Sequence, residues 1–398
     1  MEHKIIKEKW CSQHTLIAPP PTATIPQTSI KMADFQIIHQ DSKTAARQGL
    51  LTTAHGKVET PAFMPVGTAG AVKGITPQQL KETGAGIILA NTYHLLLRPG
   101  IDVVEKVGGL HKFMAWDRPI LTDSGGYQVF SLSPLAKIND DGVEFASHID
   151  GAKIYLDAEI ATKIQNRLAG DIIMCFDQCT PFGVDRPQLK KAVDRTILWA
   201  KRCKHTHSNG NQLLFGVVQG GIDLELRTYC ASELVKIGFD GYAVGGLSVG
   251  EGHDNMIKTV VQTTQLLPQD KPRYLMGIGT AGEIITAVKA GVDMFDCVLP
   301  TRNGRNAFAF TENGPVRLRN NTHIDAAEPI EAGCDCYCCK NFSRATLRHF
   351  FNSEEMLGPI LVSLHNLTFY QRLMAKIRQA LKRNEFASWT AEQIKNDY

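Results

Sequence analysis

Four of the chain's ten cysteines fall inside six residues, Cys334-Asp335-Cys336-Tyr337-Cys338-Cys339, and His365 follows further along. Zinc takes four soft or borderline ligands in a tetrahedron, and closed structural sites draw them from Cys and His. Cys334, Cys336 and Cys339 make a C-x-C-x-x-C knuckle to which His365 can add the fourth ligand, with Cys338 as the alternative. Disulfides are the competing use. The remaining cysteines, Cys11, Cys175, Cys179, Cys203, Cys230 and Cys297, show no framework spacing, and no secretory leader is visible. That usage fits a reducing compartment, where clustered cysteines mean metal or catalysis. The residues predict structural Zn2+ in a cytoplasmic protein.

A second set of reactive residues is spread along the chain. Asp123, Asp177 and Asp296 each lie at or near the end of a short apolar run, and Asn91, Gln219, Gly246 and Met276 hold the same place in other runs. If the runs are parallel strands of one barrel, these residues meet at one mouth, where barrel enzymes carry their reactive groups. Three carboxylates at one mouth are costly, because like charges disfavour ionisation, and the cost points to a use. On pattern alone Asp293 competes equally with Asp296, since the two occupy opposite faces of one predicted strand. Asp123, before Ser124-Gly125-Gly126, also suits a turn.

The elements that would position them have a clear rhythm. Near-continuous apolar runs occur at 61–67, 86–92, 119–123, 171–177, 213–219, 241–246, 273–279 and 293–299. Such runs suit strands buried on both faces of a parallel sheet. Helical stripes separate them, as in Leu189, Ala192, Val193, Ile197 and Ala200. Strands alternating with helices over about 250 residues predict an α/β fold of the (β/α)8 TIM-barrel type. A doubly wound sheet is the alternative, but no G-x-G-x-x-G follows an early strand.

Residues 33–59 alternate and predict an antiparallel hairpin closing the barrel floor. The Pro-rich stretch 18–28 cannot form a helix or a central strand, so 1–31 reads as a disordered extension. The expected divisions are thus the extension at 1–31, barrel with hairpin at 32–325, zinc-binding subdomain at 326–365, and closing helices at 366–398. The last begin with the stripe Leu367, Tyr370, Leu373, Met374, Ile377 and Leu381. Bulk composition is that of a globular chain: 398 residues, 43% hydrophobic, 21% charged, net charge +3. No apolar run reaches the ~20 residues that span a bilayer, so no membrane partner is expected. The near-neutral charge neither demands nor excludes nucleic acid.

Several segments together resemble one family. Thr122-Asp123-Ser124-Gly125-Gly126-Tyr127-Gln128, Val218-Gln219-Gly220-Gly221, Val244-Gly245-Gly246-Leu247-Ser248-Val249-Gly250-Glu251 and Phe295-Asp296-Cys297-Val298-Leu299-Pro300-Thr301-Arg302 are similar to the signature segments of tRNA-guanine transglycosylases. The knuckle and Leu364-His365-Asn366 match that family's zinc site, and the likeness runs from about residue 33 to 390. Cys338 is the one departure, a spare thiol beside the metal. The resemblance implies exchange of the wobble guanine of GUN-anticodon tRNAs (Asp, Asn, His, Tyr) for a 7-deazaguanine in queuosine biosynthesis. Paired carboxylates suit the chemistry: one traps the electron-poor sugar carbon as a covalent intermediate, the other shuttles the proton.

By resemblance Asp296 is the nucleophile and Asp123 the acid/base. Asp177 accepts two donors from guanine, while Gln219 and the Gly246 amide donate to O6. Tyr127 and Met276 sandwich the ring, and Asn91 and Ser124 belong to the same pocket. The Leu247 carbonyl resembles the acceptor for an aminomethyl group. Val249, where eukaryotic relatives carry glycine, and Cys179 fit the bacterial type, which inserts 7-aminomethyl-7-deazaguanine. Arg302 and Arg305 are placed for RNA phosphates. The family also implies a homodimer. A nucleoside or glycoside hydrolase on the same barrel, and a non-catalytic tRNA-binding subunit, are the alternatives.

Overall fold

The computed structural model describes residues 34–132 and 136–394, so the expected extension at 1–31 lies outside them. Strands are numbered in chain order. The first three, β1 (Phe35–Gln40), β2 (Arg47–Thr53) and β3 (Gly56–Thr60), form an antiparallel sheet. The expected two-stranded hairpin thus has a third strand. Phe35, Leu51 and Val58 on one face of it pack against the inward-facing barrel residues. One apolar residue from each strand is what plugs the floor, which a hairpin would leave partly open.

The apolar runs form β4 (Ala62–Gly67), β5 (Ile88–Ala90) and β6 (Ile120–Thr122). After them a separate antiparallel sheet, β7 (Lys137–Ile138), β8 (Val143–Ala146) and β9 (Lys153–Leu156), interrupts the rhythm. The runs resume as β10 (Ile172–Met174), β11 (Leu213–Val218), β12 (Gly241–Val244), β13 (Arg273–Leu275) and β14 (Met294–Cys297). Strands β4–β6 and β10–β14 close into one parallel barrel, with β14 paired to β4 and β6 to β10. This is the (β/α)8 architecture.

Alternation explains the continuous apolar runs. Met64, Leu89, Leu121, Met174, Phe215, Tyr274 and Met294 fill the barrel. Their neighbours Phe63, Ile88, Ile120, Ile173, Leu214, Leu275 and Phe295 point outward under the helices. Both faces are buried, so both must be apolar. Three of the helices, Ala158–Leu168, Arg186–Thr206 and Leu224–Ile237, begin at Asp157, Asp185 and Asp223, whose side chains accept from Ile160, Gln188 and Leu226 N–H. Each such cap contributes about 1 kcal/mol.

The closing helix, Leu357–Lys382, is 26 residues long and starts well before the expected 366. Its early turns carry Ser363, His365 and Asn366, polar residues that hide the apolar stripe. All three are buried and bonded: Asn366 Nδ2 donates to Pro300 and Phe308 carbonyls at 2.9 Å each, and its Oδ1 accepts from Phe310 N–H. The helix therefore crosses the expected subdomain boundary and joins the cysteine-rich region to the barrel. Three of its cations make internal contacts. Arg372 pairs with Glu331 and Glu312, Lys376 with Glu312, and Arg378 donates to the Pro61 carbonyl.

Candidate active site and metal centre

The ladder ends one to three residues short of most apolar runs, and the released residues carry the polar side chains. Asn91, Asp123, Gln219, Gly245 and Met276 directly follow β5, β6, β11, β12 and β13, while Asp296 is still within β14. Asp177 comes three residues after β10. All of them line one cavity of about 600 Å³ at the C-terminal mouth. Ser124, Tyr127, Cys179, Gly246, Leu247 and Arg302 line it too. Val249 and Arg305 do not.

Asp296 Oδ1 accepts from Tyr274 Oη–H at 2.6 Å and Gly277 N–H at 2.9 Å. Its Oδ2 takes neither bond. Burial raises the Asp296 pKa against those two donors. Asp123 is more heavily held. Its Oδ2 accepts from Asn91 Nδ2 at 2.6 Å and Gln128 Nε2 at 2.8 Å, and its Oδ1 from Thr92 N–H at 2.8 Å. Burial nevertheless lifts Asp123 above the usual carboxylate range, and the Asp296 charge adds to the lift.

Asp177 Oδ2 accepts from Gln219 Nε2 at 2.7 Å and Oδ1 from Ser124 Oγ–H at 3.4 Å. Burial pushes it up to about 6, with a further contribution from Asp123. Gly246 turns with φ 66°, and a Cβ there would stand 2.2 Å from Gln219 Oε1. Only glycine lets the backbone come so close. Cys179 remains a thiol, its pKa pushed up to about 12 by burial and the Asp177 charge. Tyr127 stands 53% exposed at the rim, and Met276 is half-buried.

The equal standing of Asp293 and Asp296 is resolved by position. Asp293 sits at the opposite end of β14, where Arg47 Nε and Nη2 grip it at 2.9 and 2.6 Å and Arg273 N–H donates at 2.7 Å. It does not reach the cavity. Val249 sits beside the mouth, where its N–H donates to Glu251 Oε2 at 2.9 Å and Ser248 N–H to Oε1 at 2.5 Å. Arg305 is half-buried on the short helix that also presents Arg302.

Sequence reading missed Tyr274 and Gln128 as partners of the two carboxylates. A signal existed for each. Tyr274 places a phenol two residues before Met276, hence on the same inward face of an apolar strand. Gln128 lies in the segment that begins at Thr122, five residues past Asp123.

The cysteine cluster forms a separate buried centre. Cys334, Cys336 and Cys339 Sγ lie 3.6, 3.7 and 3.3 Å from His365 Nδ1. A tetrahedral zinc, with Zn–S of about 2.3 Å and Zn–N of about 2.0 Å, sets S···N edges of about 3.5 Å. His365 Nε2 donates to the Phe310 carbonyl at 2.8 Å, which fixes the tautomer with Nδ1 free to ligate. The four side chains can hold a metal ion. Cys338, the alternative ligand, lies outside this set. It packs fully buried with Leu347 and Phe351, and burial raises its pKa.

Comparison with known proteins gives the chain's relatives. The family model described as Queuine tRNA-ribosyltransferase matches residues 41–398. A queuine tRNA-ribosyltransferase of Caldanaerobacter subterraneus subsp. tengcongensis is 54% identical over 365 residues, covering 92% of this chain and 97% of the relative. Those of Desulforamulus reducens and Francisella tularensis subsp. novicida are 49% and 48% identical, each covering 91% of this chain and 98% of the relative. With most of its length matched and its carboxylates gathered at one barrel mouth, the chain belongs to the queuine tRNA-ribosyltransferase family.

Proposed function

We propose that the protein is a tRNA-guanine transglycosylase that exchanges the wobble guanine of GUN-anticodon tRNAs for 7-aminomethyl-7-deazaguanine, in queuosine synthesis. The observation that carries this reading is the pair Asp296 and Asp123 facing one cavity beside the Asp177–Gln219 hydrogen bond. Asp296 Oδ2 attacks C1′ of the target nucleotide. The C1′–N9 bond breaks and its electron pair leaves with guanine, which takes a proton from Asp123. The incoming base then displaces Asp296 and returns a proton to Asp123. Two displacements retain the configuration at C1′.

Tyr274 and the Gly277 N–H hold Asp296 Oδ1, so the other oxygen is oriented for attack. Asp177 accepts guanine N1–H and its amino group, while Gln219 and the Gly246 N–H donate to O6. Tyr127 and Met276 enclose the ring. The Leu247 carbonyl faces the aminomethyl group, and Arg302 and Arg305 meet flanking phosphates. Asn91 supports Asp123, and Ser124 supports Asp177. Val249 sits outside the cavity, so its part in excluding larger bases acts through the Leu247–Glu251 turn. Cys179 contributes bulk to the same wall.

The Cys3His centre is assigned to Zn2+, which with four protein ligands cross-links the closing helix to the subdomain and does no chemistry. A homodimer and a cytoplasmic location belong to the same reading. The test is incorporation of labelled guanine into a GUN-anticodon transcript. Incorporation is expected with the wild type and not with Asp296→Asn. No incorporation by a folded, zinc-loaded wild type, with free guanine released instead, would favour a hydrolase.

A further inference from the structure

The guanidinium of Arg227 lies wholly inside the protein, beneath the loops that follow β11 and β12. It projects from the first turns of helix Leu224–Ile237. Its donors reach three backbone carbonyls: Nε to Gly221 at 2.6 Å, Nη1 to Val218 at 3.3 Å and Nη2 to Gly245 at 2.9 Å. The chain wraps it tightly, since a Cβ on Gly220 would stand 2.9 Å from both its Cγ and its N. Among the described residues no carboxylate forms an ion pair with it. Burial pulls its pKa down to about 10.

A buried cation whose hydrogen bonds all go to carbonyls is expensive to keep. Strand pairing does not require it, because Gly245 N–H already donates to the Val218 carbonyl at 3.0 Å and joins the two strand ends. The third contact is the informative one. The Gly245 carbonyl and the Gly246 N–H belong to a single conjugated peptide unit. A cation on the oxygen draws electron density through that unit and strengthens the N–H as a donor. Gly246 lines the cavity beside Gln219.

We propose that Arg227 is a positioning residue for base recognition, which fixes the Gly245–Gly246 peptide and polarises its N–H toward the 6-oxygen of the purine. This rests on the function proposed above. It adds a reason for the charge. As the glycosidic bond breaks, the bonding pair leaves with the base and negative charge spreads to O6. A preorganised, polarised donor stabilises that charge more than it stabilises the neutral base.

The test compares guanine with 6-thioguanine by calorimetric titration of the wild type and Arg227→Met. The thio analogue keeps N1–H and the amino group but offers sulfur, a poor acceptor, where O6 stood. Loss of the charge behind that donor should weaken guanine binding about tenfold and 6-thioguanine binding about twofold or less. The selectivity ratio therefore falls. Equal losses for both bases would mean that Arg227 merely supports the loops, and would overturn the proposal. Arg227→Gln, neutral but able to satisfy carbonyls, is run beside it, and should lower the ratio even if Arg227→Met fails to fold. An unchanged ratio in Arg227→Gln also overturns the proposal. A wild type that exchanges guanine into tRNA yet prefers neither base refutes the role of Arg227 alone. A wild type that binds neither base refutes the function on which it rests.

Discussion

The floor and the mouth of the barrel use the same residue type for opposite ends. Asp171 and Asp177 bracket β10, and Asp293 and Asp296 bracket the start and end of β14. At the floor, Asp171 receives four donors: His55 N–H and Nδ1 at 2.9 Å each, His111 Nε2 at 3.0 Å and Ile120 N–H at 2.8 Å. Burial raises its pKa, but the bonds from His111, His55 and Ile120 outweigh it and hold the carboxylate well below its usual range. At the mouth, Asp177 has only Gln219 and Ser124, and burial wins.

The signs differ accordingly. The folded pKa of Asp171 lies below the unfolded 3.8, so its stabilisation is present above that value and is lost as pH falls through the folded pKa. The folded pKa of Asp177 is about 6, so the fold loses stability as pH rises from 3.8 through about 6. Asp171, with four donors, stabilises the floor as a carboxylate, whereas Asp177, with two, is kept charged at a cost beside the cavity.

Breaking the mouth should cost activity and not stability. Asp296→Asn is expected to lower exchange by at least about 10⁴-fold. Its thermal midpoint should stay near the wild type, since Asp296 has no ion pair among the described residues. Breaking the floor should do the reverse. Asp293→Asn leaves Arg47 buried without its partner and should cost about 3–5 kcal/mol of stability, read by urea unfolding, while the folded fraction keeps its turnover. If Asp293→Asn abolished exchange in folded protein, the division between the two ends would fail.

Smaller changes sharpen the contrast. Tyr274→Phe removes one of the two donors to Asp296 and should reduce turnover about tenfold to a hundredfold, with the acid limb of the pH–rate profile moved to higher pH. The shift is upward because the lost donor lowered that pKa. Guanine affinity should fall about tenfold per pH unit below about 6, as Asp177 takes up a proton and ceases to accept two donors. Calorimetry at several pH values reads this directly. Cys338→Ser should leave zinc content unchanged, whereas Cys336→Ser should lower both zinc content and melting temperature.

How much of this was legible beforehand depended on whether a residue's partner was local. The eight barrel strands were plain because burial on both faces leaves an unbroken apolar run. The mouth carboxylates were plain because they end those runs. The sheet β7–β9 was not, because its strands are two to four residues long and only partly apolar. The early turns of the closing helix were hidden by His365 and Asn366, whose partners are far away in sequence. Tyr274 lies within an apolar run, and its partner Asp296 is 22 residues on. Arg227 gave no signal at all, since backbone carbonyls leave no mark on a sequence.

Asp296, and not its strand neighbour Asp293, is expected to form the bond to the ribose. The most direct measurement is peptide mapping of the covalent enzyme–tRNA adduct trapped by denaturing the enzyme during turnover. The account predicts one modified peptide, with the ribosyl group on Asp296, and no adduct with Asp296→Asn. An adduct on Asp293, or exchange that proceeds undiminished in Asp296→Asn, would contradict it.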